Sequence, residues 1–297
     1  MEVDRVILHV GWPKTATTSV QSQLRGYPNL AGKPFGRDGA LAARKVVDDL
    51  VRSSDWNSAA LEELIDSSWH DRTLPVLLSN ESLIEMPQRE WFDGLRGPFE
   101  AARRLAQLSC DTRIFMTLRE PREMLRSTWL HHVREGRLQT YSEFLERLVD
   151  DRARGCGPFA FDALARTYGD LFGSDHVVIA FTEDYSSDPV RFWNRFVNVL
   201  EIESFTPDAA IEVPRLNETN LGPIGFELGV NRLLGLYARL LRRDETRGVR
   251  RAITRRVSRR LAVDHSRFFL RSEETEDRLV TDLDEDVATI RKRFTVL

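Results

Sequence analysis

An α/β protein built on a central parallel sheet is the fold class this sequence predicts. Two observations carry it: short continuous apolar runs recur as far as Phe181, and segments of helical periodicity separate one run from the next. Strands that alternate with helices in this way form a sheet covered on both faces.

Each element follows from local signals. Val6 to Val10 reads as a short buried strand, broken by Gly11-Trp12-Pro13 before Thr17 to Leu24 takes helical character that Gly26 ends. Asn57 or Ser58 caps a helix with Leu61, Leu64, Ile65 and Trp69 on one face, and Pro75 to Leu78 is the next strand. A helix around Phe99 to Leu108 precedes the strand Thr112 to Leu118, and Pro121 opens the helix that carries Leu125, Trp129 and Val133. Ser142 caps a further helix, Phe159 to Phe172 is another, and His176 to Phe181 is a strand. Pro189 to Leu200 is helical with Phe192, Phe196 and Val199 inward. After Asn220 only helical periodicity is found, over 224–241, 249–261 and 279–294, and no strand is expected there. The organisation expected is a single domain over 1–297, with 222–297 as its helical C-terminal extension.

Composition narrows the function classes. The 297 residues are 41% apolar and 30% charged, enough for a sizeable core and unlike disordered or collagenous chains. With 43 Lys and Arg against 46 Asp and Glu the net charge is −3, which argues against a general nucleic-acid binder, so any polyanion site must be local. The early apolar run is far too short to span a membrane, and Glu2, Asp4 and Arg5 precede it in place of a basic leader. Cys110 and Cys156 form no CxxC pair and no metal cluster, so a reduced, cytoplasmic setting is expected.

The most informative stretch is Gly11-Trp12-Pro13-Lys14-Thr15-Ala16-Thr17-Thr18-Ser19, directly after a strand and opening a helix. A helix N-terminus offers unpaired N–H groups and positive dipole, Lys14 adds a charge, and Thr15, Thr17, Thr18 and Ser19 add hydroxyl donors, so the segment suits a phosphate or sulfate. It is not a Walker A loop, because Lys14 comes early and no second glycine follows. A second constellation is Arg119-Glu120-Pro121 with Ser127 eight residues beyond Arg119 and His131 one turn further. An arginine at a strand end and a serine on the following helix form a fork for one phosphate group.

Taken together, the two resemble the sulfotransferases that use 3′-phosphoadenosine 5′-phosphosulfate (PAPS). Pro13 to Ser19 is similar to that family's phosphosulfate loop, PKxGTTS, and Arg119, Pro121, Ser127 and His131 match its 3′-phosphate signature, RxPxxxxxSxxxH. Further likeness lies in Ser79-Asn80-Glu81-Ser82-Leu83, in Phe181-Thr182-Glu183-Asp184 followed by Asp188-Pro189, and in Arg215-Leu216-Asn217-Glu218-Thr219. The resemblance covers roughly the first 220 residues. It departs at Ala16, where the family usually has Gly, and at Phe181, where it usually has Tyr; a positive φ at position 16 would strain an alanine.

The resemblance implies a sheet of the nucleotide-kinase-like (P-loop) type and sulfuryl transfer from PAPS, without a metal. It implies that Lys14, Thr15, Ala16, Thr17, Thr18 and Ser19 hold the 5′-phosphosulfate and that Arg119 and Ser127 hold the 3′-phosphate. Arg215 and Asn217 either close over the nucleotide or form a solvated turn. Lys14 is placed to stabilise the charge growing on the leaving oxygen. Glu81, just past a strand, is the candidate base; the alternative is a carboxylate that orders the loop or pairs with Lys14. His9 reads as a satisfied core histidine, and His70, His131, His132 and His176 as peripheral to the transfer step.

The acceptor would bear a hydroxyl or an amine, on a carbohydrate, lipid, peptide or small molecule. Between Arg239 and Arg260 stand ten arginines against Asp244 and Glu245. There Val249, Ile253, Val257 and Leu261 make an apolar stripe, and the helix 249–261 suits a docked helix with a solvated basic face, an anionic acceptor site, or a membrane surface. The other function classes are an ATP-dependent small-molecule kinase on a similar fold and a non-catalytic binder of anions.

Overall fold

The computed structural model describes residues 3–11, 15, 20–21, 23–24, 27–32, 50, 56–71, 73–79, 97–134, 139–153, 159–202 and 272–297. The chain forms two compact units, one of Met1–Glu120, Asp151–Leu216 and Asp284–Leu297, the other of Pro121–Asp150 and Asn217–Leu283.

The first unit holds the sheet. Its strands are β1 (Arg5–Gly11), β2 (Leu30–Gly32), β3 (Val76–Ser79), β4 (Asp111–Leu118), β5 (Val177–Phe181) and β6 (Thr295–Val296). All neighbours run parallel, in the order β2-β3-β1-β4-β5-β6. Every residue of β3 and β5 is buried, as in a sheet flanked by helices on both faces, so the expected α/β architecture with a central parallel sheet is the one the chain adopts. Helices α1 (Ala59–Ser67), α2 (Gly97–Leu105), α5 (Phe161–Phe172), α6 (Thr182–Ser187) and α7 (Pro189–Val199) belong to this unit.

Register decides which residues share a face. Ile7 pairs with Leu77, His9 with Phe115, and Phe115 with Val178, so these residues stand on one side of the sheet. Ile7, Leu77, Phe115 and Val178 join a core with Val20, Leu24, Tyr185 and the stripe Phe192, Trp193 and Phe196 of α7, where Phe115 meets Phe196 edge-on at 4.9 Å. Asp188 caps α7 by accepting from the Arg191 N–H at 3.0 Å, and Pro189 supplies the preset first turn. The helix ends with Ile202 N–H on Val197 O and Glu201 N–H on Asn198 O, which places Glu201 at φ 55, a left-handed position usually given to glycine. Glu201 compensates with its side chain, which takes Arg113 from β4 at 2.6 Å and Arg5 from β1.

The second unit holds α3 (Pro121–Arg134), most of α4 (Tyr141–Ala153) and the start of α8 (Glu273–Arg293). Glu276 of α8 is completely buried. It accepts Arg126 Nε at 2.7 Å and Nη2 at 2.9 Å, and the Tyr141 hydroxyl at 2.7 Å, while Arg122 stands at 3.3 Å. Burial first, and the Glu276 carboxylate second, push the Tyr141 phenol up from its ordinary range. Trp129 donates to Gln139 O at 3.1 Å and packs on Tyr141 with ring centres 5.3 Å apart.

Several expectations need correction. Thr140, and not Ser142, caps α4: Glu143 N–H donates to Thr140 Oγ1 at 3.3 Å while Glu143 Oε2 takes Thr140 N–H at 2.7 Å, a reciprocal capping box. Asn57 supplies the side-chain bond at the start of α1, taking Ala59 N–H at 3.1 Å, whereas Ser58 makes none. Trp69 lies past the end of α1 and donates to Leu74 O at 3.0 Å. Residues 182–187 form a short helix, and α8 starts six residues before Leu279. A strand does follow Asn220: β6 extends the sheet beside β5, with Phe294 just before it packed so close to α5 that a Cβ on Gly169 would come within 2.9 Å of its ring. The helices expected over 224–241 and 249–261 lie outside the described residues.

Candidate functional site

The centre of the sheet sets the geometry. β1 and β4 are adjacent and parallel with Gly11 in register with Thr117, so the segment that follows β1 and the Arg119 turn that follows β4 leave the same edge of the sheet. The strands β2 and β3 lie to one side of β1, and β4, β5 and β6 to the other. The crevice between β1 and β4 is therefore where the strand order reverses, the place at which open parallel sheets bind ligands.

Thr15 is buried, and its hydroxyl lies 2.8 Å from that of Thr117, which is also buried. This residue, expected to hold an anion with its side chain, thus has a strand partner as well. Lys14, Ala16, Thr17, Thr18, Ser19, Glu81, Arg215 and Asn217 lie outside the described residues, as does the arginine-rich segment. Arg119 sits one residue past β4 with its side chain 24% exposed, and its Nε is 4.0 Å from Glu183 Oε1. Thr182 beside it donates to Leu118 O at 2.9 Å. Burial pushes the Glu183 carboxyl up, against the backbone N–H of Glu120 and the charge of Arg119, which draw it down. The β5–α6 junction therefore grips the Arg119 turn at two points.

Ser127 belongs to the second unit, on α3. Its hydroxyl is buried and has no hydrogen-bond partner among the described residues. Leaving a buried hydroxyl unpaired costs about 1–3 kcal/mol, so a position that carries one is suited to a ligand oxygen. A phosphate oxygen fits that requirement.

His9 is buried in the core with Nδ1 2.8 Å from Ser79 Oγ. The same bond ties down the end of β3, two residues before Glu81. His132 packs edge-on against Phe144, and His176 stands 3.4 Å from Asp111. A cleft of about 300 Å³ opens near β6, lined by Asp184, Asp188, Arg191, Arg195 and Arg291 among others, and neither Thr15, Thr117 nor Arg119 lines it. Sequence reasoning missed Thr117, Thr182 and Glu276. Thr117 and Thr182 carry no motif, and only register shows what Thr117 faces.

No protein-family model matches the chain, and no curated protein matches it. Among solved structures it is similar to a sulfotransferase from Alicyclobacillus acidocaldarius, at 19% identity and a TM-score of 0.48 over 81% of this chain and 96% of that one. No described helix is long and apolar enough to cross a membrane.

Proposed function

We propose that this chain is a sulfotransferase that moves a sulfuryl group from PAPS to an acceptor hydroxyl or amine. The observation that carries the reading is the adjacency of β1 and β4, whose ends lead into the Lys14 segment and the Arg119 turn on one edge of the sheet. A donor with anionic groups at both the 5′ and the 3′ positions calls for two such anion readers at one crevice. The buried hydroxyl of Ser127, with no hydrogen-bond partner among the described residues, supports its assignment to a phosphate oxygen.

In this reading the acceptor oxygen attacks sulfur in line, the new S–O bond forms as the bond to the bridging oxygen breaks, and 3′,5′-ADP leaves. Lys14 faces the charge that grows on the bridging oxygen, and Glu81 takes the acceptor proton. The acceptor is a carbohydrate, lipid, peptide or small molecule, and the arginine-rich stretch 249–261 is a place for an anionic one to dock. PAPS is the donor, and the chemistry assigned to these residues calls for no metal.

The test is a comparison of nucleotides by thermal shift and calorimetry. 3′,5′-ADP should stabilise the protein far more than 5′-AMP does, and Arg119→Ala should abolish the difference. Equal shifts for both nucleotides in the wild type would remove the PAPS reading, and a stronger response to Mg²⁺-ATP would favour a small-molecule kinase. Labelled PAPS screened against the acceptor classes then separates an enzyme from a non-catalytic binder.

A further inference from the structure

We infer that the cleft beside β6 is a binding site for a tetrahedral oxyanion of the phosphate or sulfate type, free or carried as an ester by a small polar molecule. Its volume of about 300 Å³ is roomier than a bare ion needs and stands at the small end of the range for small-molecule sites. Residues of α6, α7, α8 and β6 line it, and all of them belong to the first unit. Strand β6 stands two places from β4 in the sheet, about 10 Å at the usual strand spacing, so the inference does not rest on the donor reading.

Three guanidiniums face this space, Arg191 and Arg195 from α7 and Arg291 from α8. Arg191 and Arg195 are one helical turn apart, and like charges at that spacing disfavour a helix unless an anion lies between them. Among the described residues none of the three pairs with a carboxylate, whereas Arg5, Arg113, Arg122, Arg126 and Arg152 each do. Two of them are held by neutral partners instead. The Arg291 guanidinium carbon lies 3.9 Å from the ring centre of buried Phe181, and Arg195 Nη2 donates to Val296 O at 2.6 Å. A ring face and a carbonyl oxygen fix a guanidinium without cancelling its charge, and most of its five N–H donors stay available to a ligand. The two acids of the lining are otherwise placed: Asp188 Oδ1 accepts the Arg191 backbone N–H as the cap of α7, and Asp184 pairs with none of the arginines. The lining keeps an excess of positive charge, and the planar fork of arginine matches the oxygens of phosphate or sulfate. Asp184, which can only accept, suits a hydroxyl on the group that carries an ester.

The test is calorimetric titration of the full chain with sodium sulfate, against sodium chloride at matched ionic strength. Arg191→Gln should weaken sulfate about tenfold, the worth of one charged hydrogen bond, and because Arg191 is exposed the variant keeps the fold. Arg291→Lys keeps the charge but loses the fork, and should weaken sulfate as well. Asp184→Asn removes a repelling charge from the lining and should tighten sulfate a few-fold. Glucose 6-sulfate separates the two sources of the ion: tighter binding than inorganic sulfate, with the same loss in Arg191→Gln, assigns the cleft to an ester, and equal binding assigns it to the free ion. Sulfate also stabilises proteins in general by exclusion from their surfaces, so a rise in melting temperature of the same size in wild type and in Arg191→Gln, with no saturable heat that the variant loses, would overturn the inference. So would a loss of sulfate binding in Arg119→Ala and not in Arg191→Gln, which would place the ion at the β1–β4 crevice.

Discussion

Replacing Glu276 by alanine should loosen the second unit and leave the sheet in place. The carboxylate is completely buried and collects Arg126 through two nitrogens, Arg122 and the Tyr141 hydroxyl. Taking one partner from a buried ion pair typically costs about 3–5 kcal/mol. Here the arginine side chains are 31% and 32% exposed and recover water when released, whereas the Tyr141 hydroxyl sits on a residue only 2% exposed. The lower end applies, about 3 kcal/mol, which for a chain of this size lowers the melting temperature by roughly 5 °C. Glu276→Gln keeps one acceptor oxygen but turns an amide donor toward guanidinium donors, so it should fall between the two. The assay is calorimetric melting combined with hydrogen exchange followed by mass spectrometry. Peptides from α3 and from the start of α8 should lose protection, while those from β1 and β4 should not. A melting point within about 1 °C of wild type, or a loss of protection spread evenly over the sheet, would refute the view that Glu276 is the anchor of this unit.

Three further outcomes are expected. Lys14→Ala should lower turnover more than it weakens 3′,5′-ADP, since its partner charge grows in the transition state; normal turnover with only a raised donor KM would contradict this. Glu81→Gln should keep nucleotide affinity and reduce transfer to an alcohol acceptor by about 10²- to 10⁴-fold, the usual worth of a general base, and an equal fall in affinity would mean that Glu81 only orders the loop. Arg113, and after it Arg5, hold the Glu201 carboxyl below its ordinary range. A depressed folded value stabilises the protein above the ordinary carboxylate pH, and that contribution fades as the pH falls through the depressed value. Glu201→Gln should therefore flatten the acid limb of a stability profile, and an unchanged limb would exclude the coupling.

The sequence was most legible where one local rule acts alone. β1, β4 and β5 are apolar runs with clear breakers, and each forms within one residue of its expected limits. Capping misled where two hydroxyl residues compete: Thr140 and Ser142 read alike, and only the position of Glu143 three residues after Thr140 decides between them. β6 was hidden because two residues hold no periodicity and their strand exists only through pairing with β5. Of the site, the order of motif and strand could be read locally, and Arg119 stands at a strand end as expected. The Thr15–Thr117 bond could not be read, since it depends on β4 rather than β3 standing at the right side of β1, a fact of topology that no local window contains. Glu276 reads as one more acid in a charged helix until α3 brings two arginines to it.

The pairing of Val178 with Thr295 also says something about the order in which the molecule is built. During synthesis β1, β3, β4 and β5 can assemble as soon as Phe181 has emerged, yet the strand that flanks β5 on its other side is made only when residues 295 and 296 arrive. An apolar strand with an unpaired edge invites pairing with another chain. The pairing of β5 with β6 is therefore delayed by the translation of everything between those two strands, and the final turn of α8, by delivering Thr295 and Val296, completes it.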